Sequence, residues 1–233
     1  MPVGEPIVGI SSMATRQVLS ELAEAYERRS GHPVAIESVG GVEASRRVEG
    51  GEAFDFVVLA RAAIDALAHS GRIDPESRTD LARSGIAIAV AAGAARPDIA
   101  SEAALREAVL AAQSVGCSTG PSGAHLARLL ERWGIAERLA PRLVQARPGV
   151  PVGTLVASGE VELGFQQLSE LKHLSGIDVI GLLPLEIQLL TVFAGAVCRA
   201  TARPGAASAL LVFMASPRAD AAKRRHGMEP ARA

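Results

Sequence analysis

The sequence predicts an α/β fold of two lobes joined by two crossing strands. Three observations carry that prediction. The first 70 or so residues alternate short apolar runs with helical periodicity, three strand–helix pairs in a row, which is the pattern of a parallel sheet with helices on both faces. A second α/β series starts near residue 84 and runs to about residue 190. The chain beyond that holds one apolar strand and one apolar helix, too little for a core of its own. It is expected to fold back on the first lobe. Lobe 1 is therefore placed at residues 1–83 plus 191–233 and lobe 2 at residues 84–190, with the crossing strands near Ile86–Val90 and Thr191–Val197.

The elements follow in order. Pro6–Ser11 (PIVGIS) reads as the first strand. Met13–Arg29 carries Val18, Leu19, Leu22, Ala25 and Tyr26 at helical spacing, and Gly31-His32-Pro33 stops that helix. Pro33–Val39 is a strand. Gly40-Gly41 opens a short helix, Val42–Glu49, which Gly50-Gly51 ends. Phe54–Ala60 (FDFVVLA) is a buried strand and Ala62–His69 a helix. In the second series Gly85–Ala92 alternates Ile and Val with Ala and reads as a long strand. A helix follows at Ser101–Gln113, a strand at Ser114–Ser118, a tight glycine-rich loop at Thr119–Gly123 and a helix at Ala124–Trp133. Leu143–Ala146, Val161–Gln166 and Asp178–Leu183 read as strands, and Val150–Ser158 as a short helix. Thr191–Cys198 is the last strand and Ala206–Ala215 the closing helix.

Composition narrows the function. Lys plus Arg total 24 against 25 Asp plus Glu, a net charge of -1, which argues against a general nucleic-acid binder. No run reaches the roughly 18 apolar residues of a membrane span. The N-terminus lacks a basic segment followed by a long apolar one, so the chain as it stands is expected to be cytoplasmic, or periplasmic with a signal already removed. Two cysteines, Cys117 and Cys198, make neither a disulfide framework nor a metal cluster. There is no P-loop, dinucleotide fingerprint, HExxH or GxSxG. No cofactor and no metal are expected. Lys223-Arg224-Arg225-His226 reads as a solvated helix end.

In open parallel sheets ligands sit beyond the carboxyl ends of strands, where helix N-termini present unpaired N–H groups. Four such junctions share a composition: Ser11-Ser12, Gly40-Gly41, Ser118 through Gly123, and Pro148-Gly149 ahead of Val152. Hydroxyls and glycine-exposed N–H groups are chemistry for an anion held by neutral dipoles.

Several stretches together resemble the type II periplasmic binding proteins, in their molybdate-binding-protein-like branch. They are Ser11-Ser12 followed by LSELAEAYERRSGHPVAIES, then VGGVEASRRVEGGEAFDFVVLA, STGPSGAHLARLLERWGI and PGVPVGTLVASGEVELGFQQLSEL. The resemblance implies two lobes that close on a small oxyanion or carboxylate. It places Ser11, Ser12, Gly40 and Gly41 as contacts from the first lobe, and Ser118, Ser122, Gly123, Val152 and Gln166 from the second. It also implies an ABC permease as partner if the chain is exported. Two departures leave room for an organic carboxylate: Gln166-Gln167 stands where a tyrosine often follows the Gly-Phe pair, and the loop offers His125. The same broad family is similar to aconitate isomerase, which moves a double bond in a tricarboxylate.

Two functions follow. The first is a solute-binding protein closing on a small anion. The alternative is a cofactor-free isomerase of a polycarboxylate, with His125 as the proton-transfer group. Arg83 is a candidate for pairing with a carboxylate. One of Gln166 and Gln167 is expected to face the ligand, since both end a buried strand where an unpaired amide is costly.

Overall fold

The computed structural model describes residues 5–232. They form two compact units. One holds the chain up to Ser84 together with the chain from Thr191 onward, and the other is Gly85–Leu190.

The first unit opens with β1 (Ile7–Ser12), α1 (Arg16–Ser30), β2 (Val34–Val39), α2 (Gly41–Glu49), β3 (Phe56–Ala60), α3 (Arg61–His69) and β4 (Thr79–Ser84). The second contains β5 (Ile86–Ala91), α4 (Glu102–Ala111), β6 (Val115–Cys117), α5 (Pro121–Arg132), α6 (Ala136–Leu139), β7 (Leu143–Gln145), α7 (Val152–Ala157), β8 (Leu163–Gln167), α8 (Leu168–Leu171) and β9 (Ile177–Leu182). The chain then completes the first unit with β10 (Thr191–Val197), α9 (Pro204–Ala215), α10 (Asp220–Arg225) and β11 (Glu229–Pro230).

The first sheet has the order β11-β4-β10-β3-β1-β2. β1 runs parallel to β2 and β3, while β10 is antiparallel to β3 and β4. Alternation along the strands feeds two cores. Ile7, Phe56 and Val58 pack with α1 and α9 through Leu19, Leu22, Leu210 and Met214. Ile10, Val57 and Leu59 pack on the other face with Ala44, Val48, Ile64 and Leu67 of α2 and α3. α1 buries Val18, Leu19, Leu22, Ala23 and Tyr26 at three- and four-residue spacing and ends at Gly31, whose φ of 73° suits glycine. The second sheet has the order β7-β6-β8-β5-β9, with β6 parallel to β7 and β8 and β5 antiparallel to β8 and β9.

Some boundaries differ from the sequence reading. β4 was expected as part of no strand, and its sequence TDLARS explains why: Leu81 and Ala82 are its only apolar residues. Its pairing comes from β10, which arrives over a hundred residues later. β4 and β5 are separated only by Gly85, so the chain leaves the first sheet and enters the second within a single residue. Gln188 clamps the start of β5, accepting from Ile86 N at 2.9 Å and donating to Ile86 O at 3.0 Å. The Thr119–Gly123 loop is shorter than expected because α5 starts at Pro121, a residue already shaped for the first helical position. The basic run at Lys223–His226 is a solvated helix end only in Arg224 and Arg225, which are exposed. Lys223 is 1% exposed, and Arg225 and His226 both bind Glu21 of α1, the latter at 2.8 Å. Burial pushes the Lys223 ammonium down to about 8.

Candidate functional site

The first junction grows out of the parallel pairing of β1 and β2. Ser11 pairs with Ser38 and Ser12 with Val39, so Gly40 and Gly41 follow directly beside the end of β1. Alternation sends the two serine side chains to opposite faces. Ser11 turns to the α1 face, fully buried, with Oγ 2.8 Å from Ser38 Oγ. Ser12 turns to the α2 face. It is 7% exposed, and its hydroxyl has no hydrogen-bond partner.

What Ser12 faces is the first turn of α2. A Cβ added to Gly41 would stand 3.6 Å from Ser12 Cβ. The first intrahelical bond of α2 runs from Ala44 N to Gly40 O, which leaves the N–H groups of Gly41, Val42 and Glu43 without intrahelical acceptors. Gly40, the N-cap, has no side chain to satisfy them. A buried donor without an acceptor, beside the positive end of a helix, is suited to an anion.

Arg83 does not join this junction. It lies half-buried in β4, and β10 and β3 stand between β4 and β1. At about 4.8 Å per strand the offset is roughly 14 Å.

The second junction lies at the parallel ends of β6 and β8. Cys117 pairs with Phe165, so Ser118 and Gln166 emerge side by side. Ser118 Oγ lies 2.9 Å from Ser122 Oγ and accepts from Gly120 N at 3.2 Å. Gly123 is a packing requirement: an added Cβ would fall 1.8 Å from the Ser118 carbonyl oxygen. His125, one turn on, has Nε2 2.7 Å from Ile187 O. A carbonyl only accepts, so Nε2 carries a proton.

Val152 and Gln166 were expected to contact a ligand directly. In the structure the two are hydrogen-bonded to each other. Val152 N donates to Gln166 Oε1 at 2.7 Å, and Gln166 Nε2 donates to Glu170 Oε1 at 2.8 Å. An amide buried to 1% exposure must be satisfied at both ends, and these bonds do it.

Glu170 escaped the sequence reading. It sits in the single turn α8, four residues after Gln166. Part of its surface remains accessible, yet burial of its carboxyl outweighs the Gln166 hydrogen bond and pushes it up to about 7. The spacing Gln166-x-x-x-Glu170 was visible in the sequence. The burial was not. Among the described residues no group of three or more His, Cys, Asp or Glu side chains is placed to hold a metal ion. Both cysteines are buried and free, and burial, aided by the charge of Asp55, pushes the Cys198 thiol to about 12.

Comparison with known proteins adds a family to this geometry. Residues 7–229 match the family described as bacterial extracellular solute-binding protein. A curated relative from a Pseudomonas species, named aconitate isomerase, is 38% identical over 226 residues, covering 95% of this chain and 86% of that protein. The periplasmic molybdate-binding protein of Azotobacter vinelandii superposes with a TM-score of 0.79 at 20% identity, covering 95% of this chain and 98% of that one. The sulfate-binding protein SubI of Mycobacterium tuberculosis gives 0.77 at 16% identity, covering 98% and 88%. At such identities the structural likeness concerns the fold, an α/β architecture of two sheets with helices.

Proposed function

The chain belongs to the bacterial extracellular solute-binding protein family, and from that premise we propose that it binds a small anion, either a di- or tricarboxylate or a tetrahedral oxyanion. The Ser12 hydroxyl and the backbone N–H groups at the start of α2 supply donors in the first unit. The observation that carries this reading is Ser12, whose hydroxyl is buried against the first turn of α2 with no acceptor of its own. In a transport role the loaded protein delivers the anion to an ABC permease.

The test uses Ser12→Ala in calorimetric titrations with molybdate, sulfate, citrate and trans-aconitate. Losing a hydrogen bond to a charged group costs about 1.5–3 kcal/mol, or about ten- to a hundredfold in affinity. The same change removes an unpartnered buried hydroxyl. The ligand-free variant should therefore melt at or above the wild-type temperature while binding the anion more weakly. Wild-type affinity in the variant would make Ser12 a packing residue only.

A second reading is isomerisation of an unsaturated polycarboxylate, favoured by the 38% identical relative named aconitate isomerase. The shift is redox-neutral: one allylic C–H bond breaks, the double bond moves, and a C–H bond forms at the far carbon. It needs a group that accepts and returns a proton near working pH. Glu170 and His125 are the candidates in the second unit. Proton NMR of trans-aconitate with the protein in deuterated water should show incorporation of deuterium. A bound tricarboxylate that never exchanges would leave the chain a binder.

A further inference from the structure

The first unit carries a groove of about 570 Å3 between α1 and the edge strand β2. Its charges are unevenly committed. Glu27 Oε1 accepts from Val34 N at 2.6 Å, Glu24 pairs with Arg28 at 3.6 Å, and Glu37 binds Arg47 at 2.6 Å. Arg16, the one cation lining the groove, makes no side-chain hydrogen bond or ion pair with the described residues.

The position of Arg16 gives that free cation a context. α1 follows β1 and returns antiparallel to it, so Arg16 in its first turn lies at the carboxyl end of β1 and β2. Glu27, at the far end of α1, meets Val34 at the start of β2. Arg16 therefore shares its end of the groove with Ser38. Ser38 Oγ is 2.8 Å from Ser11 Oγ, and Ser11 is fully buried. The Ser11 proton has two acceptors, Ser12 O at 3.5 Å and Ser38 Oγ at 2.8 Å; given to the nearer, it leaves the Ser38 proton to point outward. The result is a guanidinium and a hydroxyl on the α1 face of the strand ends. The unpartnered Ser12 hydroxyl and the α2 N-terminus occupy the other face of the same ends.

We propose that Arg16 and Ser38 form a second carboxylate subsite beside the Ser12 junction, so that the ligand is a di- or tricarboxylate bridging the two. This rests on the anion-binding reading of Ser12 given above and names the ligand class. A single tetrahedral oxyanion is fully served by the neutral donors at Ser12 and α2. A second carboxylate is not, and a guanidinium fork matches it with two parallel hydrogen bonds.

Arg16→Gln tests the proposal. The position is exposed, and glutamine is a good helix former, so folding should be retained. Calorimetric titrations with citrate and trans-aconitate should show about ten- to a hundredfold weaker binding and a shallower dependence on salt. Sulfate binding should change by less than about twofold, since it leaves the guanidinium unused. Arg16→Lys, which keeps the charge but not the fork, should fall between the two. Unchanged citrate and aconitate affinity in Arg16→Gln, beside weakened binding in Ser12→Ala, overturns the subsite and leaves the Ser12 junction standing. Equal losses for sulfate and citrate in Arg16→Gln also overturn it, because the arginine then acts as a general attractor. A wild-type protein that binds sulfate but no polycarboxylate overturns the subsite while keeping the anion reading, and one that binds none of these anions overturns both.

Discussion

Replacing Asp55 by alanine should destabilise the first unit by about 2–4 kcal/mol, read as a lowered urea midpoint. Asp55 sits just before β3 and is 6% exposed. Its carboxylate accepts from Val8 N at 2.8 Å, from Arg203 at 2.8 Å and from the Thr201 hydroxyl. Arg203 in turn donates to the carbonyls of Glu5 and Pro6. One buried ion pair thus ties the start of β1, the approach to β3 and the loop between β10 and α9. Removing the carboxylate leaves the Val8 N–H without an acceptor in mid-sheet and Arg203 without its counter-charge. Breaking such a pair costs about 3–5 kcal/mol when both charges are buried. The Arg203 side chain is 34% exposed and can partly rehydrate, which brings the expectation down. The loss is a large share of the 5–15 kcal/mol typical of a whole domain. Asp55→Asn keeps one acceptor for Val8 and should lose less. The exposed pair Arg28–Glu24 is the control, and its removal should leave the midpoint where it is.

Most of the first unit was legible because its signals are local. The β3 run FVVLA is apolar on both faces, as a strand covered on both sides must be. α1 shows its buried stripe and its glycine stop. The errors fall where identity depends on distant partners. β4 is a strand because β10 and β11 pair with it, and TDLARS contains no trace of that. α10 looked solvated because DAAKRR is charged. Its Lys223 is buried by packing against the first unit's core, and the chain supplies its basic neighbours with Glu21 from two hundred residues earlier. At the candidate site the serines and glycines could be placed in advance, since strand-to-helix turns are composed of them. What could not be placed was the state of each group. Ser12 and Ser122 look alike in sequence, yet Ser122 has Ser118 as a partner and Ser12 has none. Gln166 was placed as a ligand contact, but its bonds to Val152 N and Glu170 could not be read from the sequence.

Glu170→Gln should change the pH dependence of stability and, if the chain is an isomerase, remove turnover. The sign follows from burial. In the unfolded chain the carboxyl titrates at its ordinary value near 4.5, and in the folded protein near 7. Between those values the folded state holds a proton that the unfolded state has released, so stability falls as pH rises through the window and levels off above it. The only opposing influence is the Gln166 hydrogen bond. A shift of that size corresponds to about 3 kcal/mol at most, and to about 2–3 kcal/mol once partial solvent access is allowed for. Glutamine cannot ionise, and its carbonyl still accepts from Gln166 Nε2. The variant should match the wild type at pH 4.5, hold its urea midpoint from pH 4.5 to 8, and exceed the wild type by about 2–3 kcal/mol at pH 8. The catalytic outcome separates two roles. If Glu170 moves the proton, deuterium incorporation into trans-aconitate should fall by about a hundredfold or more, with the calorimetric affinity for trans-aconitate retained. If Glu170 only supports Gln166 and α7, incorporation should persist while the pH–stability curve flattens. In that case His125→Gln becomes the decisive variant, since His125 lies in the first turns of α5 at the second junction.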